Sequence, residues 1–279
     1  MSDYYVEWDK VGERLYEIGV DHGMIYPLVN GAYNNGEAWS GLSNVSINPE
    51  GADVNDIWAD NMKYLSLRSA ETVKATIECY SYPDKFKECN GEVSPVAGMT
   101  VGQQTRKAFG FSFRSRIGND EQFQDYGYKL HFIYNATASP SEKSYGTIND
   151  STDVDAMSYE IDTTAIPVKI NGVEYKPTSY VCIESNKVGT AENLTALEEI
   201  IYGTAAIYTK VADTTGSPVA ATQYYTRDAS GNYVECTKPL TAFAENTDYY
   251  TLTSAGVEPR MPLPDEIYTI ITTGSPAQG

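Results

Sequence analysis

Short runs that alternate apolar and polar residues constrain the fold of this chain more than any other feature. Three of them lie within the stretch Ala38–Gly91, over Asn44–Asn48, Lys63–Arg68 and Glu71–Tyr82. Alternation with a period of two residues is typical of strands that bury one face. In another run, Lys107–Ile117, phenylalanines alternate with small or polar residues. The sequence therefore predicts a mainly-β protein, built as a sandwich or a barrel.

A polar, acidic segment, Pro49–Met62, separates the first two runs of this stretch. It is too long and too polar for a buried connection, and long loops in compact domains are usually functional or disordered. Trp58 in its middle is better explained if a neighbouring subunit covers it. The segment is therefore predicted to be an arm that contacts another subunit, mobile in the monomer and ordered in an assembly. The candidate contact residues are Trp39, Pro49, Glu50, Asp53, Asp56, Trp58, Asp60 and Asn61.

One helix is predicted over Ala191–Tyr202, because its leucines and isoleucines recur at helical spacing. Gly203 follows as a C-terminal cap. A shorter amphipathic turn is predicted at Asp84–Glu88. The last apolar segment, Met261–Ile271, is flanked by prolines and predicts a final strand, with a polar tail after it.

The composition changes after residue 203. Residues 204–256 are rich in Thr, Ala, Ser and Tyr and contain several turn signals, which predict a small inserted β module. The expected organisation is a core over 1–203, the module over 204–256, and a final core strand with the C-terminal tail over 257–279. Tyr224, Tyr225 and Tyr233 are expected to form the miniature core of the module, and a carbohydrate-binding cluster is the alternative reading.

The chain is strongly acidic, with 20 Lys and Arg against 38 Asp and Glu and a formal charge of −18. It contains no basic stripe, which weighs against tight nucleic-acid binding. The acidity serves solubility, or it belongs to a surface that DNA passes without binding. No apolar window is long enough to span a membrane, and no signal peptide is evident, so synthesis in a cytoplasm is expected.

Motifs for chemistry are absent from the sequence. Neither His22, in a turn, nor His131, in a strand, belongs to a hydrolase, metalloprotease or nucleotide-binding motif. The segment Asp53–Asp60 is only a faint match to a calcium loop. The four cysteines have no zinc-type spacing and are expected to be free thiols, with a Cys79–Cys89 bridge left open. No enzymatic activity, cofactor or metal is expected.

The ordered set of motifs resembles the major tail protein, or tail tube protein, of long-tailed bacteriophages. The resemblance covers Gly12–Gly203 and Met261–Ile271. The segments that carry it are GVDHGMIYPL, WSGL, INPEGAD with ADNMKYL, SAE with ECYSYPDKFKECNG, FSFRSRIGND, YGYKLHFIYNA, KPTSYVCIES, the helix ending in IIYG, and MPLPDEIYTII.

The resemblance implies a tail-tube-type β-sandwich with one flanking helix and a long arm that bridges rings. Six copies would close a ring, and rings would stack into a tube that is an acidic-lined conduit for genome delivery. The implied partners are further copies of the chain and the tail terminator, tape measure and distal tail proteins, with DNA passing through the lumen without specific binding and no membrane contact. The implied location is the virion tail, after synthesis in the bacterial host cytoplasm.

Two other structural roles remain open at this stage. The chain could form the tube of a phage-tail-like bacteriocin or secretion device, which shares the ring assembly but carries no genome. It could also be a virion decoration or baseplate protein, which would form discrete particles and no filaments. The module over 204–256 looks like the add-on modules that tail proteins carry on their outer face.

Overall fold

The computed structural model describes residues 8–51, 53–147, 154–212 and 214–275. The protein is mainly β, with 47% strand and 12% helix. Its described residues form two compact units, a body within Met1–Tyr202 and Pro259–Gly279 and an inserted unit, Gly203–Glu258. The composition change had predicted the insert over 204–256.

Most of the body is antiparallel sheet. Its helices are α1, Asp84–Cys89, α2, Ala191–Tyr202, and α3, Pro264–Thr273, with a 3-10 turn at Ser185–Lys187. Its strands are β1 Tyr16–Val29, β2 Ala32–Tyr33, β3 Glu37–Trp39, β4 Leu42–Gly51, β5 Val54–Ala59, β6 Met62–Arg68, β7 Glu71–Cys79, β8 Phe109–Asn119, β9 Phe123–Ala138, β10 Met157–Thr163, β11 Ile166–Ile170, β12 Val173–Thr178 and β13 Tyr180–Glu184.

The main sheet has nine strands in the order β2-β1-β8-β9-β10-β7-β4, with β3 also beside β1 and β13 also beside β9. Strand β4 forms one border, paired with β7 from Leu42↔Cys79 to Gly51↔Glu71. Two further strand pairs, β5–β6 and β11–β12, are separate two-stranded sheets.

The two faces of the main sheet bury different cores, because successive strand residues point to opposite faces. One face packs on α1, and its core includes Ile25, Trp39, Phe86, Phe109, Phe111, Phe113, Ile133 and Tyr159. The other face packs on α2 and α3, and its core includes Met24, Tyr26, Leu130, Phe132, Tyr134, Leu197, Ile201, Ile267 and Ile270. The single flanking helix of the prediction is thus one of two long helices on the same face.

The predicted helix Ala191–Tyr202 is confirmed, and the predicted turn near Asp84 is the short helix α1. The predicted final strand is wrong, because Pro264–Thr273 is the helix α3. Pro264 occupies its first turn, where a missing N–H costs nothing, and Gly274, with a φ of 74°, closes its end. Ile267 and Ile270 face the core three residues apart, which is helical and not strand spacing.

The predicted loop-like arm is also wrong in its local structure. Strand β4 continues through Pro49 to Gly51, and Val54–Arg68 is a β-hairpin of β5 and β6. Its two-residue turn, Asp60–Asn61, has φ values of 52° and 59°. Positive φ at both central residues defines the type I′ turn, which suits a tight hairpin and tolerates Asp and Asn.

The inserted unit holds the strands β14 Ile207–Lys210, β15 Tyr224–Arg227, β16 Tyr233–Glu235 and β17 Tyr250–Ser254, in the order β14-β17-β15-β16. Tyr224 and Tyr225 are buried. The ring of Tyr233 stacks on that of Tyr208, with centroids 3.9 Å apart. The rings of these tyrosines therefore pack on other aromatic rings of the inserted unit.

The structure also describes the cysteines, the lengths of the helices and the grouping of side chains that could bind a metal ion. All four cysteines are free, and Cys79 and Cys89 are buried. Among the described residues, no helix has the length and apolar character needed to cross a membrane. The same part of the chain holds no group of three His, Cys, Asp or Glu side chains placed for a metal ion.

Candidate subunit interface

The candidate site is the hairpin β5–β6, which emerges from the β4–β7 border of the main sheet. Its strands pair from Val54↔Arg68 to Ile57↔Leu65, and then shift by one residue so that Trp58 pairs with Lys63. The shift leaves Tyr64 as the extra residue of a β-bulge. Cross-strand partners lie on the same face of a strand pair, so the register assigns each side chain to a face.

One face of the hairpin is apolar except for Asn55, the cross-strand partner of Leu67, and its side chains are exposed in the described chain. Ile57 is 40% exposed, Met62 60%, Leu65 44% and Leu67 48%. The register places these four side chains and Ala59 on one face. A contiguous exposed apolar surface of this kind is typical of a protein–protein contact. We call this surface the apolar hairpin face.

The opposite face of the hairpin is held by polar contacts. Asp56 accepts hydrogen bonds from Ser66 Oγ at 2.7 Å and forms an ion pair with Lys63 Nζ at 2.8 Å. These contacts lower the pKa of Asp56, the contact with Lys63 most of all. An exposed pair of this kind adds little stability, but it ties β5 to β6 across the bulge. Trp58, 67% exposed, is on this face by register.

The structure separates the residues predicted for the arm. Asp56, Trp58, Asp60 and Asn61 lie in the hairpin, and Asp53 lies at its base, where its carbonyl oxygen accepts the Ser69 N–H at 3.1 Å.

Pro49 and Glu50 instead belong to β4 of the main sheet. They pair with Val73 and Thr72 of β7. The Glu50 carboxylate forms an ion pair with Lys74 at 3.0 Å. These two residues therefore hold the base of the hairpin in the sheet.

Trp39 is not a surface contact, and its inclusion in the arm was wrong. It is 2% exposed in the core between the sheet and α1. Its Nε1–H donates to the Ser81 carbonyl oxygen at 2.9 Å, and its ring lies 4.4 Å from the ring of Phe86. Strand β3 pairs Trp39 with Gly23 of β1, and this long-range pairing is not visible in the local sequence.

Sequence reasoning missed the apolar hairpin face itself. Ile57 and Ala59 alternate with polar or exposed neighbours in β5, and Leu65 and Leu67 do so in β6. The alternation is a strand signal, but the polar and acidic residues beside these side chains favour a loop. Met62 joins the same face only because the bulge changes the register.

A second cluster has the residue types of a hydrolase but not the hydrogen-bond directions. His131 Nε2 lies 2.7 Å from Ser115 Oγ, and His131 Nδ1 lies 2.7 Å from the Tyr180 hydroxyl. Ser115 Oγ is also 2.5 Å from Glu17 Oε1, and Lys129 Nζ donates to the other oxygen of Glu17 at 2.6 Å. A carboxylate can only accept, so Ser115 donates its proton to Glu17. His131 then donates from Nε2 to Ser115 and accepts from Tyr180.

In this arrangement His131 donates a hydrogen bond to Ser115. A general base would instead have to accept the hydrogen bond from the Ser115 hydroxyl. Burial lowers the pKa of His131 to about 4, so the ring is neutral at pH 7. The cluster is a chain of paired polar groups that joins β1, β8, β9 and β13, buried at Ser115 and His131 and exposed at Glu17. His131 is therefore a hydrogen-bonded residue of the sheet, in strand β9 as the sequence predicted.

No protein-family model matches the chain, and a search of curated proteins found no significant match.

Proposed function

We propose that this protein is a structural subunit that assembles with copies of itself through the hairpin β5–β6. The proposed assembly is the tube of a bacteriophage tail, as the resemblance to tail tube proteins implies. The observation that carries the proposal is the apolar hairpin face, which remains exposed in the single chain.

The hairpin is expected to need a partner because a hairpin alone has little stability. A two-stranded hairpin is marginal in water, and it needs a third strand or a packed face to be stable. The polar face of β5–β6 contributes an ion pair and a hydrogen bond, whereas the apolar face has no partner in the described chain. Burying that face on another copy would stabilise the contact by about 25 cal/mol for each Å² of apolar surface removed from water.

The charge of the chain supports a conduit for DNA. Duplex DNA carries about one negative charge per ~1.7 Å of its axis. A lumen built from a chain of net charge −18 would repel DNA weakly and let it slide. In this proposal, six copies close a ring, rings stack, and the tube accepts the terminator, tape measure and distal tail proteins at its ends.

The test compares two substitutions at adjacent exposed positions of β6. Leu67→Lys places a charge on the apolar hairpin face, and Ser66→Lys places the same charge on the opposite face. The wild-type protein and Ser66→Lys are expected to form tubes of uniform width in negative-stain electron micrographs at high protein concentration. Leu67→Lys is expected to remain monomeric in sedimentation velocity.

Circular dichroism and thermal melting of the monomers provide the control, since both substituted side chains are exposed and neither should unfold the body. The proposal is wrong if the wild-type protein never forms filaments, or if Leu67→Lys assembles as well as the wild type. Discrete particles without filaments would instead indicate a decoration or baseplate protein.

A further inference from the structure

The hairpin and a large groove of the body lie at opposite ends of the same sheet. Four antiparallel pairings, β1–β8, β8–β9, β9–β10 and β10–β7, separate β1 from β7, so these two strands run in the same direction. The hairpin precedes the first residue of β7, Glu71. The groove lies beyond the other end, where β1 finishes at Val29 and α1 follows β7. At about 3.3 Å per residue, β7 alone separates the two ends by roughly 25–30 Å.

This groove, which we call the terminal groove, has a volume of about 830 Å³. Two other grooves of the body are about 470 and 450 Å³. Its apolar lining comes from Pro27, Val29, Ala32, Val93 and Ala97, and its uncharged polar lining from Asn30, Asn34, Asn35 and Ser94. Val29 and Val93 are exposed there. The volume is in the range of clefts that bury most of the surface of a drug-sized molecule, which is also the scale of a few side chains.

The charges around the terminal groove balance each other, unlike those of the whole chain. Three lysines and three acids line it, and ion pairs join Lys87 to Asp84 and Lys107 to Glu88. A second copy of a chain with net charge −18 meets less repulsion at a neutral surface than at the acidic remainder. The six charged residues are Asp84, Lys85, Lys87, Glu88, Glu92 and Lys107.

We infer that the apolar hairpin face of one copy binds in the terminal groove of the next copy. The inference rests on the proposed function and adds the surface that receives the hairpin. The hairpin reaches roughly 20–25 Å from Asp53 to Asp60, and it carries Ile57, Ala59 and Met62 near its turn. Apolar side chains on a thin two-stranded hairpin match the apolar part of the groove lining, and the charged side chains of the groove surround that part.

The opposite placement of the two surfaces determines the kind of assembly. A contact between two different patches is heterologous, and it repeats without end unless a rotation closes it. With the hairpin at one end of the sheet and its groove at the other, each added copy presents a new groove or a new hairpin. The contact would therefore join successive layers of the assembly and leave its length open.

The test is cross-linking between cysteines introduced at two exposed or part-exposed alanines. Ala59→Cys lies on the apolar hairpin face, and Ala97→Cys lies in the terminal groove. Cys182→Ser and Cys236→Ser remove the accessible native thiols, while Cys79 and Cys89 are buried. Assembled protein is treated with a short bis-maleimide and analysed on a denaturing gel, with filaments counted by electron microscopy in the same sample.

The expected result is a ladder of covalent oligomers from the double variant and at most a dimer from either single variant. The matched control replaces Ala97→Cys with Ala229→Cys, another exposed alanine, in the inserted unit. Filaments without a ladder, or an equal ladder in the control, would overturn the terminal groove as the receiving surface and leave the proposed function standing. Absence of filaments in the unsubstituted chain would overturn the proposed function, and the inference with it.

A second variant guards against an unsuitable cross-linking geometry. Ala97→Arg would fill the terminal groove and is expected to reduce filament mass at least tenfold, while Ala229→Arg leaves it unchanged. Melting of the monomers checks that both variants fold. Normal filaments from Ala97→Arg would also contradict the inference.

Discussion

The two tryptophans of the predicted arm provide the sharpest test of the structure. Trp39→Ala is expected to lower the free energy of unfolding of the body by about 3–5 kcal/mol, the usual cost of removing a buried large aromatic side chain. Burial of 150–250 Å² by one aromatic side chain, at about 25 cal/mol per Å², gives a similar transfer term of about 4–6 kcal/mol. Removal of the indole also leaves the Ser81 carbonyl oxygen without its donor.

Trp58→Ala is the matched comparison, because the same side chain is removed from an exposed position. Its effect on the monomer is expected to stay within about 0.5 kcal/mol. Both variants are measured by urea denaturation followed by far-ultraviolet circular dichroism, since fluorescence would itself change with the loss of a tryptophan. The protein must be dilute enough to be monomeric in sedimentation, because assembly stabilises the folded state.

The two results together decide whether the hairpin is free of its own body. A Trp58→Ala loss as large as that of Trp39→Ala would mean that the hairpin packs on the body in the monomer. In that case the hairpin would not project free of its own body, as the proposed assembly requires. A small loss for Trp39→Ala would contradict its place in the core beside Phe86.

Two further predictions concern buried polar groups of the body. The pKa of His131 is lowered to about 4, against about 6.5 when unfolded, so its stabilising contribution is complete above pH 6.5 and is lost as the pH falls toward 4. In urea titrations across this range, His131→Gln should lose stability less steeply than the wild type, and equal slopes would contradict the burial. Tyr134 donates to the Pro262 carbonyl oxygen at 2.9 Å in the core, so Tyr134→Phe should cost about 1–3 kcal/mol. The exposed Tyr64→Phe should cost almost nothing in the same denaturation assay, and equal losses would place Tyr134 outside the core.

The mainly-β class and helix α2 could be predicted because each depends on a local pattern. Phe109, Phe111 and Phe113 alternate along β8 and all reach one core, as a period of two requires. Leu197 and Ile201 are four residues apart in α2 and reach the other core. Such patterns are complete within one element, so the sequence contains all the information needed.

The errors arose where a local signal has two meanings. Prolines can border a strand or begin a helix, and Pro264 begins α3. A polar segment can be a loop or an exposed hairpin, and Asp60–Asn61 provides the turn that makes it a hairpin. The three-residue spacing of Ile267 and Ile270 favours a helix over a strand, in which residues of one face are two apart.

The burial of a tryptophan could not be predicted from its neighbours. Trp39 lies between Ala38 and Ser40, and Trp58 lies between Ile57 and Ala59. These neighbours do not separate a buried tryptophan from an exposed one, because burial depends on which strand each one pairs with. Strand β3 joins β1 of the main sheet, whereas β5 joins only β6. Strand partners distant in sequence are a property of the whole fold, so a local pattern does not contain them.

The border strand β4 explains why self-association would use side chains as well as backbone pairing. Among the described residues, β4 forms a strand ladder only with β7, although β1 packs near it. Its other edge therefore has no hydrogen-bonded strand partner in the main sheet. An open edge invites uncontrolled strand pairing, and proteins limit it with proline and charged residues. Pro49 lacks an N–H, and Glu50 with Lys74 places an ion pair where β4 leads into the hairpin. Because these features weaken backbone pairing beside the hairpin, recognition there falls to the apolar hairpin face, where shape and burial can select one partner surface.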